Sequence, residues 1–133
     1  MILLDTNYLI RALLETTFEA ERVDHWLDQD EELCTASIAW YEFLSGPVDQ
    51  EGIDLTRAMV CDRVLPFTGD VAAEAARLYD ATGRIRWLRV DATLAATAII
   101  ADARLATENE TNFRIFTSEG LRLALGGARV QSL

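Results

Sequence analysis

The chain opens with Met1-Ile2-Leu3-Leu4-Asp5-Thr6-Asn7, in which four apolar residues run without a break into an aspartate, a threonine and an asparagine. An apolar run without alternation predicts a strand buried on both faces, as in a parallel sheet covered by helices. A helical pattern follows over 8–14, so Asp5-Thr6-Asn7 is predicted to form a strand-to-helix turn. Ligands of open α/β sheets bind at such turns, just outside the carboxyl ends of the strands. The alternative interpretation is that Asp5 or Thr6 only caps the helix.

The rest of the chain alternates short apolar runs with helical patterns. Strands are predicted over 2–4, 33–35, 64–67 and 104–107, with a last edge strand over 121–125 or, as the rival position, 114–117. Helices are predicted over 7–14, 19–28, 37–45, 52–62, 71–82 and 90–103. The last of these has scarcely a polar face, so we expect it to be buried against the sheet. The alternation predicts one three-layer α/β/α domain over 1–133, with a central parallel sheet of about five strands and a short tail at 126–133.

The charge of the chain is strongly acidic. The formal net charge is −10, and all 12 basic residues are arginine, with no lysine. Such a domain should bind nucleic acid poorly in dilute salt, because that binding normally needs a basic surface. At molar salt the Debye length falls to about 3 Å and the overall repulsion largely vanishes. We therefore hypothesise a halophilic protein, in which the acidity says little about the partner.

Several kinds of chemistry are excluded by the residues that the chain lacks. Without lysine it can form neither a Schiff base nor a Walker P-loop, and no G-x-G-x-x-G follows a predicted strand. The single histidine, His25, excludes a two-histidine ribonuclease mechanism and a three-histidine zinc site. We expect His25 to be a solvated surface residue, since it lies beside an apolar helical stripe and among acids.

The sequence also predicts a cytoplasmic location without a membrane span. No apolar run approaches the 18 residues that a transmembrane helix needs, and Met1 leads straight into the first strand without room for a signal peptide. Cys34 and Cys61 make no disulfide framework, and Cys34 lies in a predicted buried strand. Both are expected to be reduced.

Polar side chains from four distant parts of the chain are predicted to meet at one edge of the sheet. They are Asp5 after the first strand, Glu42 in the third helix, Asp91 at the start of the buried helix, and the turn 109–112 after the fourth strand. The plainer interpretations are that Glu42 is a solvated helix residue and Asp91 an ordinary cap. Glu42, however, has large apolar neighbours: Trp40, Tyr41, Phe43 and Leu44. A carboxylate enclosed by such side chains is costly unless it is paired or liganded.

A cluster of carboxylates predicts a cation. Two of them 4 Å apart repel by about 4 kcal/mol at an effective dielectric constant of 20, which a folded protein tolerates where a metal ion lies between them. Carboxylate oxygens without thiolate or imidazole favour Mg²⁺, or Mn²⁺, over zinc. Such an ion, holding water and touching a phosphate oxygen, is equipped for phosphodiester hydrolysis. We therefore predict a magnesium site at Asp5, Glu42 and Asp91.

These residues carry a resemblance to a known family. Leu3-Leu4-Asp5-Thr6-Asn7, and then Ser37 with Glu42-Phe43-Leu44-Ser45-Gly46, resembles the opening of a PIN-domain ribonuclease. That family's third and fourth motifs resemble Asp91-Ala92-Thr93-Leu94-Ala95-Ala96-Thr97-Ala98 and Thr107-Glu108-Asn109-Glu110-Thr111-Asn112-Phe113. The match covers nearly the whole chain without an added domain, which is similar to the VapC-type toxins of toxin–antitoxin pairs.

The resemblance implies roles for the matching residues. Asp5 and Asp91 would hold the metal directly, and Glu42 would hold it or orient the attacking water. Asn112 would complete the catalytic set. The polar side chains that support these ligands would be Asn7, Thr107 and Asn109.

One departure concerns the fourth motif. The family usually has an aspartate where this chain has Asn112, and often a basic residue where it has Glu108. An amide can coordinate a metal through its oxygen but brings no negative charge. The two interpretations left open are a weaker metal site, or a site in which Glu108 or Glu110 takes the place of the missing acid.

The function that the resemblance implies is a Mg²⁺-dependent endoribonuclease toxin that cleaves structured RNA with metal-activated water. Its partners would be RNA, a small antitoxin whose tail enters the cleft, and a second copy of the chain. One alternative is a PIN-like binding or assembly module with weakened catalysis, which Asn112 favours. Another is a different metal-dependent phosphohydrolase on a flavodoxin-like sheet. Such an enzyme with an aspartyl nucleophile typically has an Asp-x-Asp motif after the first strand, whereas this chain has Asn7 in place of the second aspartate.

The densest basic stretch is Arg84-Ile85-Arg86-Trp87-Leu88-Arg89, which leads directly to Asp91. We expect Arg84, Arg86 and Arg89 to flank the cleft and contact RNA, with Trp87 stacking on a base. The alternative interpretation is a solvated linker with Trp87 in the core.

Overall fold

The computed structural model describes residues 1–124 and contains a four-stranded parallel sheet. Its strands are β1 (Ile2–Leu4), β2 (Leu33–Ala36), β3 (Val64–Leu65) and β4 (Arg104–Ala106). They lie in the order β3-β2-β1-β4, and every pairing is parallel. On the outer side of β4, Leu105 forms an isolated parallel bridge with Leu123. The predicted α/β class and parallel sheet are confirmed.

Seven α-helices accompany the strands within residues 1–124. They are α1 (Thr6–Arg11), α2 (Phe18–Asp28), α3 (Ser37–Leu44), α4 (Gln50–Met59), α5 (Gly69–Ala81), α6 (Arg89–Ile100) and α7 (Glu110–Phe113). Two 3₁₀ helices cover Arg86–Leu88 and Arg114–Glu119. The first six α-helices correspond to the predicted ones, with boundaries that differ by a few residues.

The rival strand position, 114–117, is wrong, because those residues lie in the second 3₁₀ helix. Packing of Phe113 against Phe116 explains why this segment is helical. Both side chains are buried and their ring centroids lie 6.2 Å apart, and a helical turn brings residues i and i+3 together in this way. Within the predicted edge strand, 121–125, Leu123 makes the bridge to β4. Residue 125 and the predicted tail, 126–133, lie outside the described residues.

Burial of the strands confirms the predicted layers. Ile2, Leu3 and Leu4 each expose 0% of their surface, although successive strand residues point to opposite faces of the sheet. Both faces of β1 are therefore covered by helices. On α6 the residues Ala92 to Ala98 are buried apart from Thr93, and this helix packs closely against α5. Its alanines permit that close approach.

The register of the sheet brings distant parts of the chain to one edge. Leu4, at the end of β1, pairs with Thr35 of β2 and with Ala106 of β4. Just beyond, the Asp5 amide donates to the Ala106 carbonyl at 3.1 Å. After β1, the strands β2 and β3 are added on one side of β1, and β4 is added on its other side. The carboxyl end of β1 is thus a topological switch point, where α/β proteins bind ligands.

Two smaller predictions are also confirmed. His25 is exposed and Cys34 is buried. Within residues 1–124, no helix has both the length and the apolar character needed to cross a bilayer.

Candidate active site

A cleft of about 290 Å³ opens at the carboxyl end of β1. Its walls come from the start of α1, from α3, from the first turns of α6 and from the segment after β4. The residues that line it are Asp5, Thr6, Asn7, Glu42, Val90, Asp91, Leu94, Asn109 and Phe113. Three carboxylates that lie far apart in sequence therefore share one cavity.

Asp5 is a buried carboxylate at the base of the cleft, with 6% of its surface exposed. It is also the N-cap of α1, because its Oδ1 accepts a hydrogen bond of 3.0 Å from the Tyr8 amide. Burial raises the pKa of Asp5 to about 6, against hydrogen bonds from the Thr107 side chain and the Tyr8 amide, and the charges of Glu108 and Asp91 raise it further. The capping interpretation is thus correct, yet the cap alone does not compensate the buried charge.

Asp91 lies in the first turn of α6 and is not its cap. The N-cap position is Leu88, and no side chain caps this helix. Burial raises the pKa of Asp91 above its ordinary value, a hydrogen bond with the Asn112 side chain opposes this, and the charge of Glu42 adds to it. Asn112 therefore contacts the Asp91 carboxylate, although Asn112 does not line the cleft.

Glu42 is exposed, so the expectation of a carboxylate enclosed by large apolar side chains is wrong. Helical periodicity separates it from its sequence neighbours, since Trp40 and Phe43 stack on each other at 5.3 Å while Tyr41 is 70% exposed. Glu42 nevertheless reaches the cleft, where its Oε1 accepts a hydrogen bond of 2.7 Å from the Thr6 hydroxyl.

The polar residues predicted to support the carboxylates lie close to them. Asn7 and Asn109 are exposed and line the cleft. Thr107 is buried, with 3% of its surface exposed, and hydrogen bonds to Asp5. Its Oγ1 also accepts the Asn109 amide at 2.9 Å, which ties the segment after β4 to the end of β1.

Neither acid proposed as a substitute for Asn112 lines the cleft. Glu108 lies 3.5 Å from Arg11, which is held in turn by Glu19 at 2.8 Å, and it acts on Asp5 only through its charge. Glu110 lies 3.9 Å from Arg114.

Sequence reasoning missed four residues of the cleft: Thr6, Val90, Leu94 and Phe113. The sequence pattern suggests Thr6 only as a helix cap, although its position between Asp5 and Asn7 also indicates a place in the cleft. Val90 and Leu94 flank Asp91 at helical spacing, one residue before it and three after it. That spacing puts them on the same side of α6, where they supply an apolar wall.

The donor set of the cleft fits a hard divalent cation such as Mg²⁺. Within residues 1–124 no three histidine, cysteine or acidic side chains are arranged as a ready-made metal site. Mg²⁺ does not need one, since it keeps several waters and is usually bound by one or two carboxylates together with substrate phosphate. Asp5 and Asp91 supply two such carboxylates, and no ion pair between described residues neutralises Asp5, Glu42 or Asp91.

The arginines expected at the rim do not line the cleft. Arg84 pairs with Asp80 and lies 5.1 Å from the centre of the Tyr79 ring, and Arg89 lies 5.6 Å from the same ring. The interpretation that buries Trp87 in the core is wrong, because Trp87 is 75% exposed.

Comparison with known proteins places this geometry in a family. A profile of the PIN domain family matches residues 2–116, which include all four polar motifs. The chain belongs to the PIN domain family. No match was found among curated protein sequences.

Several solved structures are similar to this PIN domain, and one of them is a toxin–antitoxin complex. FitAcB from Neisseria gonorrhoeae matches with a TM-score of 0.66 and 26% identity, over 92% of this chain and 96% of that one. A toxin–antitoxin complex from Klebsiella pneumoniae has a TM-score of 0.68 and 22% identity, over 85% and 90% of the two chains. VapBC-1 from nontypeable Haemophilus influenzae has a TM-score of 0.64 and 20% identity, over 92% and 96%. The resemblance to VapC-type PIN domains is confirmed.

Proposed function

We propose that this PIN domain is a Mg²⁺-dependent endoribonuclease that acts as the toxin of a toxin–antitoxin pair. The observation that carries the proposal is the convergence of Asp5, Glu42 and Asp91 in one cleft, where no arginine of residues 1–124 pairs with them. Family membership and the likeness to toxin–antitoxin structures support it. Mn²⁺ fits the same oxygen donors.

In this mechanism the protein's own residues fix the positions of the metal ligands. Asp5 and Asp91 would hold the ion, and Glu42 would hold it or orient the attacking water. The ion would lower the pKa of a bound water and offset the charge that develops on the phosphate. Thr6 keeps the Glu42 carboxylate at the cleft, and Thr107 holds Asp5 by a hydrogen bond. Such partners around metal ligands typically contribute 10- to 100-fold to affinity or activity.

Asp91→Asn tests the proposal directly. The substitution keeps the size of the side chain and removes the charge, so cleavage of RNA in Mg²⁺ should fall by on the order of 100-fold or more, with an unchanged circular dichroism spectrum. Chelation of the metal with EDTA should abolish cleavage by the wild type. Asp54→Asn is the matched control, because Asp54 is an exposed aspartate of α4 whose side chain bonds, among residues 1–124, to Gln50 alone. Wild-type cleavage by Asp91→Asn would refute the assigned site.

A second candidate is a binding or assembly module with weakened catalysis. Asn112 favours it, since a neutral amide contacts Asp91 where the motif usually supplies an acid. This candidate predicts that the wild type cuts no RNA in Mg²⁺ or Mn²⁺. It also predicts that Asn112→Asp restores cleavage by adding the missing charge.

We also propose a small antitoxin and a second copy of this chain as partners. A groove of about 380 Å³ is lined by apolar residues including Leu13, Val48 and Leu55, with Asp49 and Glu51 beside them. An exposed apolar groove with acids beside it suits a protein segment that carries apolar and basic side chains. A short neighbouring reading frame that encodes a DNA-binding protein would supply the antitoxin, and light scattering on the purified proteins would give the stoichiometry.

A further inference from the structure

Arg86 differs from every other arginine among residues 1–124. Each of the others has at least one ion pair, hydrogen bond or aromatic contact within the protein, as Arg57 has with Asp62 and Arg104 with Glu31. The exposed side chain of Arg86 makes no such contact with residues 1–124. Since an internal partner already neutralises most of these arginines, Arg86 is the one among the described arginines whose charge is most available to an external anion.

Trp87, the next residue, is presented to solvent by a well-fixed turn. Leu88 is buried, with 4% of its surface exposed, and its amide donates to the Ile85 carbonyl at 3.0 Å. The Tyr79 hydroxyl donates to the Arg84 carbonyl at 3.0 Å. The backbone on both sides of Trp87 is thus anchored, while its indole remains 75% exposed. An exposed tryptophan on an anchored backbone loses little conformational entropy when a flat ligand stacks on it.

The position of these two residues relates them to the cleft. The 3₁₀ helix Arg86–Leu88 runs directly into α6, whose residues Val90 and Asp91 line the cleft. Trp87 therefore precedes Asp91 by four residues, about one helical turn, which is a rise of roughly 5–6 Å along a helix axis. A polynucleotide whose scissile phosphate lies at Asp91 would bring a neighbouring nucleotide to this turn.

We infer that Arg86 and Trp87 bind an unpaired nucleotide of the RNA substrate at the rim of the cleft, with Trp87 stacked on the base and Arg86 at a flanking phosphate. The inference rests on the proposed nuclease function and names the substrate more closely. A base inside an A-form duplex is already stacked, so the indole can reach only a base in a loop, a bulge or a single strand. The carboxylates of the cleft repel phosphate when no metal is bound, and a cation beside the cleft supplies a contact to a flanking phosphate.

The test measures binding separately from cleavage. Single-stranded decauridylate, and the same strand annealed to decaadenylate, are titrated into the full protein in EDTA, where the metal cannot support cleavage. Tryptophan emission is the readout, because Trp87 is far more exposed than Trp26 and Trp40. Emission should be quenched by the single strand and much less by the duplex.

Trp87→Ala should abolish the quenching and weaken binding of the single strand by about tenfold, whereas Trp87→Phe, which keeps a stacking face, should bind within a few-fold of the wild type. Arg86→Ala should lower the slope of log K against log salt by about 0.7, the value for one phosphate contact on a single strand. Phe67→Ala and Arg57→Ala are the matched controls, an exposed aromatic and an exposed arginine on other parts of the surface.

Three outcomes would overturn the inference: unchanged affinity in Trp87→Ala, an unchanged salt slope in Arg86→Ala, or equal quenching by strand and duplex. A change of oligomeric state in Trp87→Ala, measured by light scattering, would assign this surface to a second copy of the chain instead. Failure here is distinguishable from failure of the nuclease proposal. If Asp91-dependent RNA cleavage persists at the wild-type rate in Trp87→Ala, only the recognition surface is wrong; if the wild type neither binds nor cuts RNA, both are wrong.

Discussion

Asp5 combines two tasks in one side chain. Its Oδ1 caps α1 through the Tyr8 amide, and its charge lies at the base of the cleft with almost no exposure to solvent. The two tasks conflict, because burial destabilises the ionised form that a metal requires. A cation would resolve the conflict. In its absence the protein must tolerate a destabilised carboxylate whenever the pH is high enough to ionise it.

This conflict predicts how stability depends on pH when metal is removed. The pKa of Asp5 in the folded protein is about 6, above its value of 3.8 in an unfolded chain. The stability that Asp5 contributes is therefore fully present below about pH 4 and is lost as the pH rises through 6. A shift of this size corresponds to about 3 kcal/mol. Asp5→Asn should abolish this loss, so in EDTA the variant should gain stability relative to wild type between pH 4.5 and 7.5.

Urea unfolding at the two pH values provides the measurement. Other carboxylates make stability change with pH in the opposite direction. An example is Glu74, whose pKa is lowered by its hydrogen bond with Arg77. Only the difference in stability between variant and wild type is therefore diagnostic for Asp5. Asp54→Asn, whose aspartate is exposed, should behave as the wild type. A difference between Asp5→Asn and wild type that does not change with pH would contradict the assigned cause.

Among the α-helices of residues 1–124, α6 has the largest buried share, and it carries a ligand of the proposed metal at its first turn. Ala95, Ala96 and Ala98 have no exposed surface, and α6 packs against α5. Small side chains let the two helices approach closely, so a larger residue cannot be accommodated without backbone movement.

Ala98→Leu should lower the free energy of unfolding by about 1–3 kcal/mol, because it overpacks this interface. Ala98 lies two helical turns after Asp91, so the site itself need not move. Ala73→Leu is the control, since Ala73 is exposed on α5 and leucine suits a helix there. Chemical denaturation of both variants measures the effect, and equal stability would mean that α6 is less tightly packed than the burial of Ala98 indicates.

For the helices and strands, the sequence prediction agrees with the structure wherever the hydrophobic pattern of the sequence is strong. The unbroken run at Ile2–Leu4 and the apolar α6 were both predicted, because a buried element needs apolar residues on every side. The predicted burial of Glu42 is wrong because adjacent residues in the sequence are not neighbours on the surface of a helix. The short α7 was not predicted, since its sequence, Glu110-Thr111-Asn112-Phe113, is mostly polar and only Phe113 is buried. Its helical form follows from tertiary contacts that a sequence pattern does not contain.

For the whole molecule, the dominant electrostatic feature is the net charge of −10. Ion pairs between described residues are mostly at the surface, as Arg57 with Asp62 and Arg122 with Asp102, and such pairs contribute little. The excess of acids repels itself, and the repulsion is screened as ionic strength rises.

The melting temperature should therefore rise between dilute buffer and molar KCl. Most of the rise should occur below about 0.5 M, because the Debye length is already short there and further salt adds little screening. A neutral osmolyte at equal osmolality is the control for effects that do not involve charge. A melting temperature that stays constant or falls with KCl would reject the halophilic hypothesis.

The sheet order has a consequence for synthesis of the protein. β1 is made first, but its pairing partner β4 begins only at Arg104, and Thr107 and Asn109 come later still. A ribosome adding about 5–20 residues per second takes roughly 5–20 s to cover that distance. During that interval one edge of β1 is open and the cleft lacks a wall. A nascent chain of this topology therefore has no assembled site while its own message is being translated.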